Sequence, residues 1–288
     1  MTQRTVRRTG MDYRQVTCPG LENMDMKKKT TMTVTEVRSL AEGIFSMKLR
    51  YPEKDVPQEV KPGQFAGLYP NDPSKLLPRP ISICRWDPDQ GELQFVFRVA
   101  GAGTASLAAQ KTGDTVDMLG ILGNGYDLER LAGKRVLLLG GGIGIPPMVE
   151  LAAALAGKPG SEVTAVMGYR NSDLFLTEEL ARYGNLLIAT EDGSVGTKGN
   201  VLDAVNENGV RADVVCASGP MPMLRAVKRF AQEQGIPAYI SLEERMACGV
   251  GACLGCVTKT VKTDSHSHVR NARICTEGPV FDAEEVEI

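Results

Sequence analysis

The stretch Cys248-Gly249-Val250-Gly251-Ala252-Cys253-Leu254-Gly255-Cys256, followed at a distance by Cys275, constrains this chain more than any other. Its pattern is C-x4-C-x2-C and then a lone cysteine, the plant-type spacing for a [2Fe–2S] cluster held by four thiolates. Three sulfurs from so short a stretch reach one small centre only if the backbone curls tightly. Gly249, Gly251 and Gly255 permit the positive φ angles of such a curl. They also leave backbone N–H groups free to point at sulfur, which tunes the potential of a cluster. Two other readings stay open on spacing alone. Zinc also takes four cysteines, although its structural sites usually come as two short C-x2-4-C pairs. Disulfides are the second, but only two residues separate Cys253 from Cys256, and the chain reads as having no secretion signal.

With 288 residues the chain has room for two or three domains and a sizeable core. A net charge of −2 gives no case for nucleic acid or an acidic membrane surface, and no apolar run approaches the length of a membrane span. Seven cysteines point to a reducing cytoplasm, where thiols stay available for metal. The two histidines, His266 and His268, sit in a polar segment between the third and fourth cysteines of the motif and read as a solvated loop tip. Histidine is therefore a poor candidate for acid–base work here, and no catalytic side chain is expected.

Residues 1–29 read as a polar, basic, disordered extension that carries Cys18, with Met26 resembling an alternative start. From there the pattern is β. Met32–Val37, Ile44–Leu49, Gln64–Leu68, Ile81–Cys84 and Leu93–Val99 are short runs punctuated by Gly and Pro, as in a small antiparallel barrel ending near Gly125. Near Gly133 the rhythm changes. Arg135–Leu139 is the continuous apolar run of a buried parallel strand, and strands and helices alternate from there to Leu242. The expected helices are Pro147–Ala156, Leu174–Tyr183, Val201–Asn206 and Met221–Gln234, between strands Val163–Met167, Leu186–Thr190, Val214–Ala217 and Ala238–Leu242. That alternation reads as a doubly wound parallel α/β sheet. The expected domains are an antiparallel β-barrel over 30–130, an α/β domain over 131–242 and a cysteine module over 243–288 hanging from the last strand.

Five motifs supplement the cysteines. In Arg79-Pro80-Ile81-Ser82, the arginine fork suits a pyrophosphate and the serine hydroxyl could lie beside a flavin ring; a strand start with a surface arginine fits equally well. Arg98-Val99-Ala100-Gly101-Ala102-Gly103-Thr104 runs from a strand into a helix start capped by Thr104, a potential anion site or an ordinary capped helix. Gly140, Gly141, Gly142 and Gly144 follow the first parallel strand, where glycines let a dinucleotide approach the backbone, although G-x-G-x-x-G is absent and a simple tight turn is the alternative. Glu191 and Asp192 end a later strand, where a carboxylate accepts from ribose hydroxyls and repels a 2′-phosphate, favouring NADH; Lys198 nearby weakens this. Ser218, Gly219 and Pro220 end another, where they could line a nicotinamide pocket, with Met221 and Met223 as helix-start packing.

In this order, and with Ile274-Cys275-Thr276-Glu277-Gly278-Pro279-Val280-Phe281 at the end, the parts resemble the electron transfer subunit of NAD-dependent (class 1B) dihydroorotate dehydrogenase, the PyrK family, within the ferredoxin–NADP reductase superfamily. The resemblance covers roughly residues 30–288. It implies FAD held by Arg79, Pro80, Ile81, Ser82, Val96, Phe97, Arg98, Gly103 and Thr104, and a [2Fe–2S] cluster on Cys248, Cys253, Cys256 and Cys275, with NAD(H) as substrate. It further implies a separate FMN-containing catalytic subunit of the PyrD type in a two-plus-two heterotetramer, cytoplasmic location and a role in pyrimidine biosynthesis. Ser218 stands where reductases of the superfamily carry a cysteine, and Cys216 is misplaced for that role. The gap from Cys256 to Cys275 is long for the family and is expected to bulge outward. Competing readings are the alpha-type subunit of an NADH-dependent ferredoxin:NADP oxidoreductase or sulfide dehydrogenase, a stand-alone NADH:acceptor reductase, and a non-redox zinc-binding interaction protein.

Overall fold

The computed structural model describes residues 27–72, 74–263 and 268–288. The N-terminal extension with Cys18 and Met26, and His266 in the histidine loop, lie outside the described residues. Six antiparallel strands close a barrel in the order β1-β2-β5-β4-β3-β6: β1 (Lys29–Ala41), β2 (Ile44–Arg50), β3 (Phe65–Leu68), β4 (Arg79–Asp87), β5 (Glu92–Arg98) and β6 (Thr115–Leu122). Period-2 alternation drives the inward side chains together. Met32 and Val34, Met47 and Leu49, Phe95 and Phe97, and Val116 and Met118 fill one interior. A short helix, α1 (Ala102–Ala108), precedes β6.

The sixth strand was absent from the sequence expectation, which placed a turn at Gly120–Gly125. Val116 and Met118 point inward while Asp117, outside, pairs with Lys29 and accepts from Thr31, so the alternation is real but short. The start of α1 also differs. Gly101 is the cap residue, and Thr104 lies inside the first turn, its Oγ1 accepting from the N–H groups of Ala100 and Gly101 at 2.9 and 3.3 Å. Thr104 caps the helix from the N3 position of a capping box, accepting from the N-cap Gly101 N–H, instead of from the cap position itself.

After α2 (Leu128–Leu131), the chain builds a seven-stranded sheet in the order β10-β9-β8-β7-β11-β12-β15. Its strands are β7 (Arg135–Gly141), β8 (Glu162–Tyr169), β9 (Asn185–Thr190), β10 (Thr197–Lys198), β11 (Val214–Ser218), β12 (Ala238–Ser241) and β15 (Val280–Asp282). All pairs are parallel except β12–β15. Leu137 and Leu139 of β7 face helices α5 (Val201–Glu207) and α6 (Met221–Gln234), while Val136 and Leu138 face α3 (Pro146–Ala156) and α4 (Thr177–Ala181). Both faces are covered, so the sheet is doubly wound as its run of apolar residues requires.

α4 is shorter than the expected Leu174–Tyr183. Tyr169 donates from its hydroxyl to the Phe175 carbonyl at 2.7 Å, and Leu176 takes a φ of 61°, so the stretch before Thr177 is spent in a turn. The cysteine segment is held at both ends. It leaves β12, forms a hairpin of β13 (Val257–Lys259) and β14 (Asn271–Arg273), and re-enters the sheet as β15. The base of the hairpin is tied to the C-terminal tail by Thr260 bridging Val286.

Candidate functional site

A cavity of about 770 Å³ lies where the barrel, the sheet and the cysteine segment meet. One wall is barrel: Phe65, Arg79–Ser82 and Val96–Arg98. The facing wall is Ile143 from the glycine turn, then Ser241–Met246 and Pro279. β4 and β5 present these residues because both strands end at the same rim of the barrel, Ile83 pairing with Phe95 just inside it. The other two expected flavin contacts adjoin Arg79. A Cβ on Gly103 would sit 2.6 Å from Arg79 Nη2, so only glycine lets the guanidinium lie across the start of α1, next to Thr104. Arg79 Nη1 also donates to the Leu77 carbonyl at 2.7 Å. Seven of the nine expected flavin residues thus line this cavity, while Gly103 adjoins it only through Arg79 and Thr104 does not line it. Glu243, on the facing wall, has its carboxyl raised by burial, with Arg98 pulling the other way.

A second cavity of about 270 Å³ adjoins the first through Arg98 and Ile143. Gly142, with a φ of +54°, lines it together with Tyr169, Arg170 and Asn171. The other glycines of the turn face protein. A Cβ on Gly140 would press on Met167 Sδ at 2.5 Å, one on Gly141 on Met223 Sδ at 2.6 Å, and one on Gly144 on the backbone of Ser218 and Gly219. These contacts bring the glycine turn against Ser218, Gly219 and Pro220, and Met223 packs on Gly141 and Gly219 as its helix-start position implied. Ser218 is buried. Glu191 and Asp192 follow β9 and line neither cavity; Asp192 accepts from Ser194 N and Oγ at 2.9 and 2.6 Å, which holds its carboxyl below the usual range. Sequence reasoning missed Tyr169–Asn171, Ile143 and Glu243–Met246. The strand-end rule it applied to β9 and β11 would have found the first of these on β8.

The four cysteines meet in pairs. The Cys253 N–H donates to Cys248 Sγ at 3.3 Å, and the Cys256 thiol lies close enough to Cys275 to raise it. Among the described residues no three His, Cys, Asp or Glu side chains form a tighter group able to enclose a metal ion. The loop still has the character of a sulfur cradle. Gly249 and Gly251 take φ of +69° and +81°. Burial alone would raise the Cys248 thiol, but backbone N–H groups of Cys253, Val250 and Ala252 outweigh it and bring the thiol down to about 6. Cys275 moves the other way, to about 11, through burial and then the neighbouring Cys256. N–H donors converging on sulfur, and thiols facing one another with Cys256 and Cys275 buried, fit a four-thiolate centre. Cys216 is buried inside β11 with its thiol pushed up by desolvation, which leaves it inert.

Residues 243–287 match the model of the iron-sulfur cluster binding domain of dihydroorotate dehydrogenase B. The electron transfer subunit of dihydroorotate dehydrogenase B (NAD(+)) from Bacillus caldolyticus is 44% identical over 259 residues, covering 88% of this chain and 97% of that one. The chain belongs to this family. The subunit of the same name from Listeria monocytogenes (strain F2365) is 41% identical over 262 residues, covering 90% of this chain and 99% of its own. Among solved structures, an NADH-dependent reduced ferredoxin-NADP oxidoreductase superposes with a TM-score of 0.78 at 30% identity over 89% of each chain. A ferredoxin reductase of carbazole 1,9a-dioxygenase shares the fold, with a TM-score of 0.64 at 22% identity over 74% of this chain and 68% of that one. A dihydroorotate dehydrogenase B electron transfer subunit works with a catalytic subunit on another chain. No helix among the described residues is long and apolar enough to cross a membrane.

Proposed function

We propose that this chain carries electrons between a catalytic partner and NAD⁺ by way of a [2Fe–2S] cluster and FAD, and that it binds both cofactors itself. The observation that carries this reading is the shared cavity. Its barrel wall holds Arg79–Ser82 and Val96–Arg98, and its opposite wall, Glu243–Met246, leads directly into Cys248. Arg79 would pair with the FAD pyrophosphate, and Ser82 would face the ring system. Cys248, Cys253, Cys256 and Cys275 would ligate the cluster. Gly142 and the Ser218–Pro220 corner would receive the nicotinamide nucleotide, with Glu191 and Asp192 disfavouring a 2′-phosphate. A flavin supplies the conversion between a two-electron hydride and single electrons, which no side chain of this protein can perform. The protein's own task is to hold the reacting partners at fixed separations.

On this reading the chain divides into a flavin barrel (30–130), a nicotinamide domain (131–242) and a cluster module (243–288). The partner is an FMN-containing dihydroorotate-oxidising subunit in a two-plus-two assembly in the cytoplasm. Leu254, 72% exposed between Cys253 and Cys256, gives the thiol loop an apolar tip suited to such a partner.

The test begins with anaerobically purified protein, which should show flavin and [2Fe–2S] absorption with matching iron and sulfide. Cys253→Ser should lose iron and keep FAD; unchanged iron content would defeat the ligand assignment. NADH formation from dihydroorotate should appear only on adding the FMN subunit. A zinc-containing, colourless protein would replace this reading with the interaction-protein alternative.

A further inference from the structure

The segment between Cys275 and β15 has one side toward the thiols and the other toward the flavin cavity, which Pro279 lines. Asn124, in the loop after β6, grips it by hydrogen bonds from the barrel side. The Asn124 N–H donates to the Gly278 carbonyl at 2.8 Å, and its Nδ2 donates to the carbonyls of Glu277 at 2.8 Å and Val280 at 3.2 Å. The NH₂ of the amide supplies the two donors these carbonyls take, and the isosteric carboxylate would supply none. The loop that carries Asn124 is itself fixed from the barrel side. Gln64 Nε2 donates to the Gly123 carbonyl at 2.8 Å, while the Lys61 N–H donates to Gln64 Oε1 at 2.7 Å. Gly123 has a φ of +80°, and a Cβ there would lie 2.5 Å from Pro279 Cδ and 3.1 Å from the ring of Phe65. Phe65 and Pro279 both line the larger cavity. The cysteine loop rests on the same strand, with Leu122 Cδ1 3.3 Å from a Cβ placed on Gly249.

We propose that Asn124 is a positioning residue for electron transfer: it clamps the Cys275–Val280 segment to the flavin barrel and thereby sets the separation between the thiol centre and the flavin cavity. This rests on the reading that Cys275 ligates the cluster and that the cavity holds FAD. Asn124 acts through the backbone of Glu277–Val280 and touches neither the nicotinamide side nor a sulfur. Without its side-chain donors, the barrel keeps one backbone hydrogen bond to this segment among the described residues, beside packing of Gly123 on Pro279, while the Leu242 N–H still holds the Pro279 carbonyl from the sheet side; the segment is then expected to shift relative to the barrel. A misplacement of that kind slows a step whose rate depends on fixed geometry.

The experiment compares wild type with Asn124→Asp, which keeps the shape and removes both side-chain donors. Holoproteins are mixed with NADH in an anaerobic stopped-flow instrument, following flavin and cluster bands separately. EPR spectra of the reduced clusters are recorded alongside. The expected result is an unchanged flavin phase, a cluster phase slower by about tenfold, and an altered EPR line shape. Val286→Ala, which loosens the buried tail beyond β15 where it bridges Thr260 and leaves the clamped segment itself untouched, serves as the control and should leave the cluster phase near wild type. An Asn124→Asp protein with wild-type cluster rate and EPR spectrum overturns the proposal. So does a control that slows the cluster phase equally, because general loosening of the tail would then explain the effect. Should Asn124→Asp lose its iron, Gln64→Leu, which frees the same loop from the barrel side, is read by the same criteria. A wild-type protein without iron or flavin would overturn the proposed function as well; failure of the variant alone overturns only the clamp.

Discussion

Gly144 shows how little room the glycine turn leaves. A methyl group there would lie 2.6 Å from the Gly219 backbone nitrogen, and backbone cannot swing aside as a side chain can. Gly144→Ala should therefore cost about 1–3 kcal/mol in urea unfolding, through separation of the turn from β11. A variant as stable as wild type would mean the two strand ends do not meet this closely. Arg79 poses a different question. Its guanidinium lies on Gly103 and its strand faces the larger cavity, so Arg79→Ala should leave the fold intact and weaken FAD retention, read as flavin lost on gel filtration. Full occupancy after that step would remove Arg79 from the flavin site. The tight curl of the cysteine loop was legible in the sequence because the spacing of its glycines and cysteines is a local property. The glycines were legible only as a group. Gly142 faces a cavity while Gly140, Gly141 and Gly144 face side chains or backbone, and a sequence shows the same letter for both duties.

Among the elements, five strands are missing from the sequence reading, β6, β10, β13, β14 and β15, and two of them, β6 and β15, close something. β6 seals the barrel between β1 and β3, and β15 seals the sheet edge at β12. Each is hard to read for a physical reason. β6 carries Gly120 within the strand and Gly123 just past it, which look like punctuation, and its buried Val116 and Met118 are separated by a charge that only the fold pairs. β15 is three residues long, too short for periodicity, and its partner lies far away in sequence. The long apolar strands β7 and β11 and helix α6 were legible because their patterns run over enough residues to be unambiguous. Phe281 tests whether β15 matters to stability. Its ring is buried against Gly278 and belongs to the same apolar core as Leu242, Cys256 and Cys275. Phe281→Ala should cost about 3 kcal/mol in chemical denaturation. A loss below about 1 kcal/mol would mean that the tail merely rests on the sheet.

At the scale of the whole molecule, barrel and sheet are joined by a buried carboxylate. Glu150 of α3 accepts from the Trp86 N–H at 2.8 Å and from Arg85 Nη1 at 3.0 Å, both on β4. A glutamate in this seam was invisible in the sequence, where it reads as one more polar position on an apolar helix. Burial raises its carboxyl above the ordinary range, and the Trp86 N–H and Arg85 pull it down without cancelling the shift. The native protein therefore keeps a proton on Glu150 at a pH where the unfolded chain has already released it. The resulting stability is fully present below the unfolded-state pKa and is lost as pH rises through the native one. Glu150→Gln keeps an acceptor for the Trp86 N–H and removes the titration. Its stability relative to wild type, measured by thermal unfolding at a series of pH values, should improve as pH rises through and above the ordinary carboxylate range. Parallel curves for the two proteins would show that the carboxyl titrates alike in the native and unfolded chains. The seam would then have to be more open to water than the packing of α3 on β4 allows.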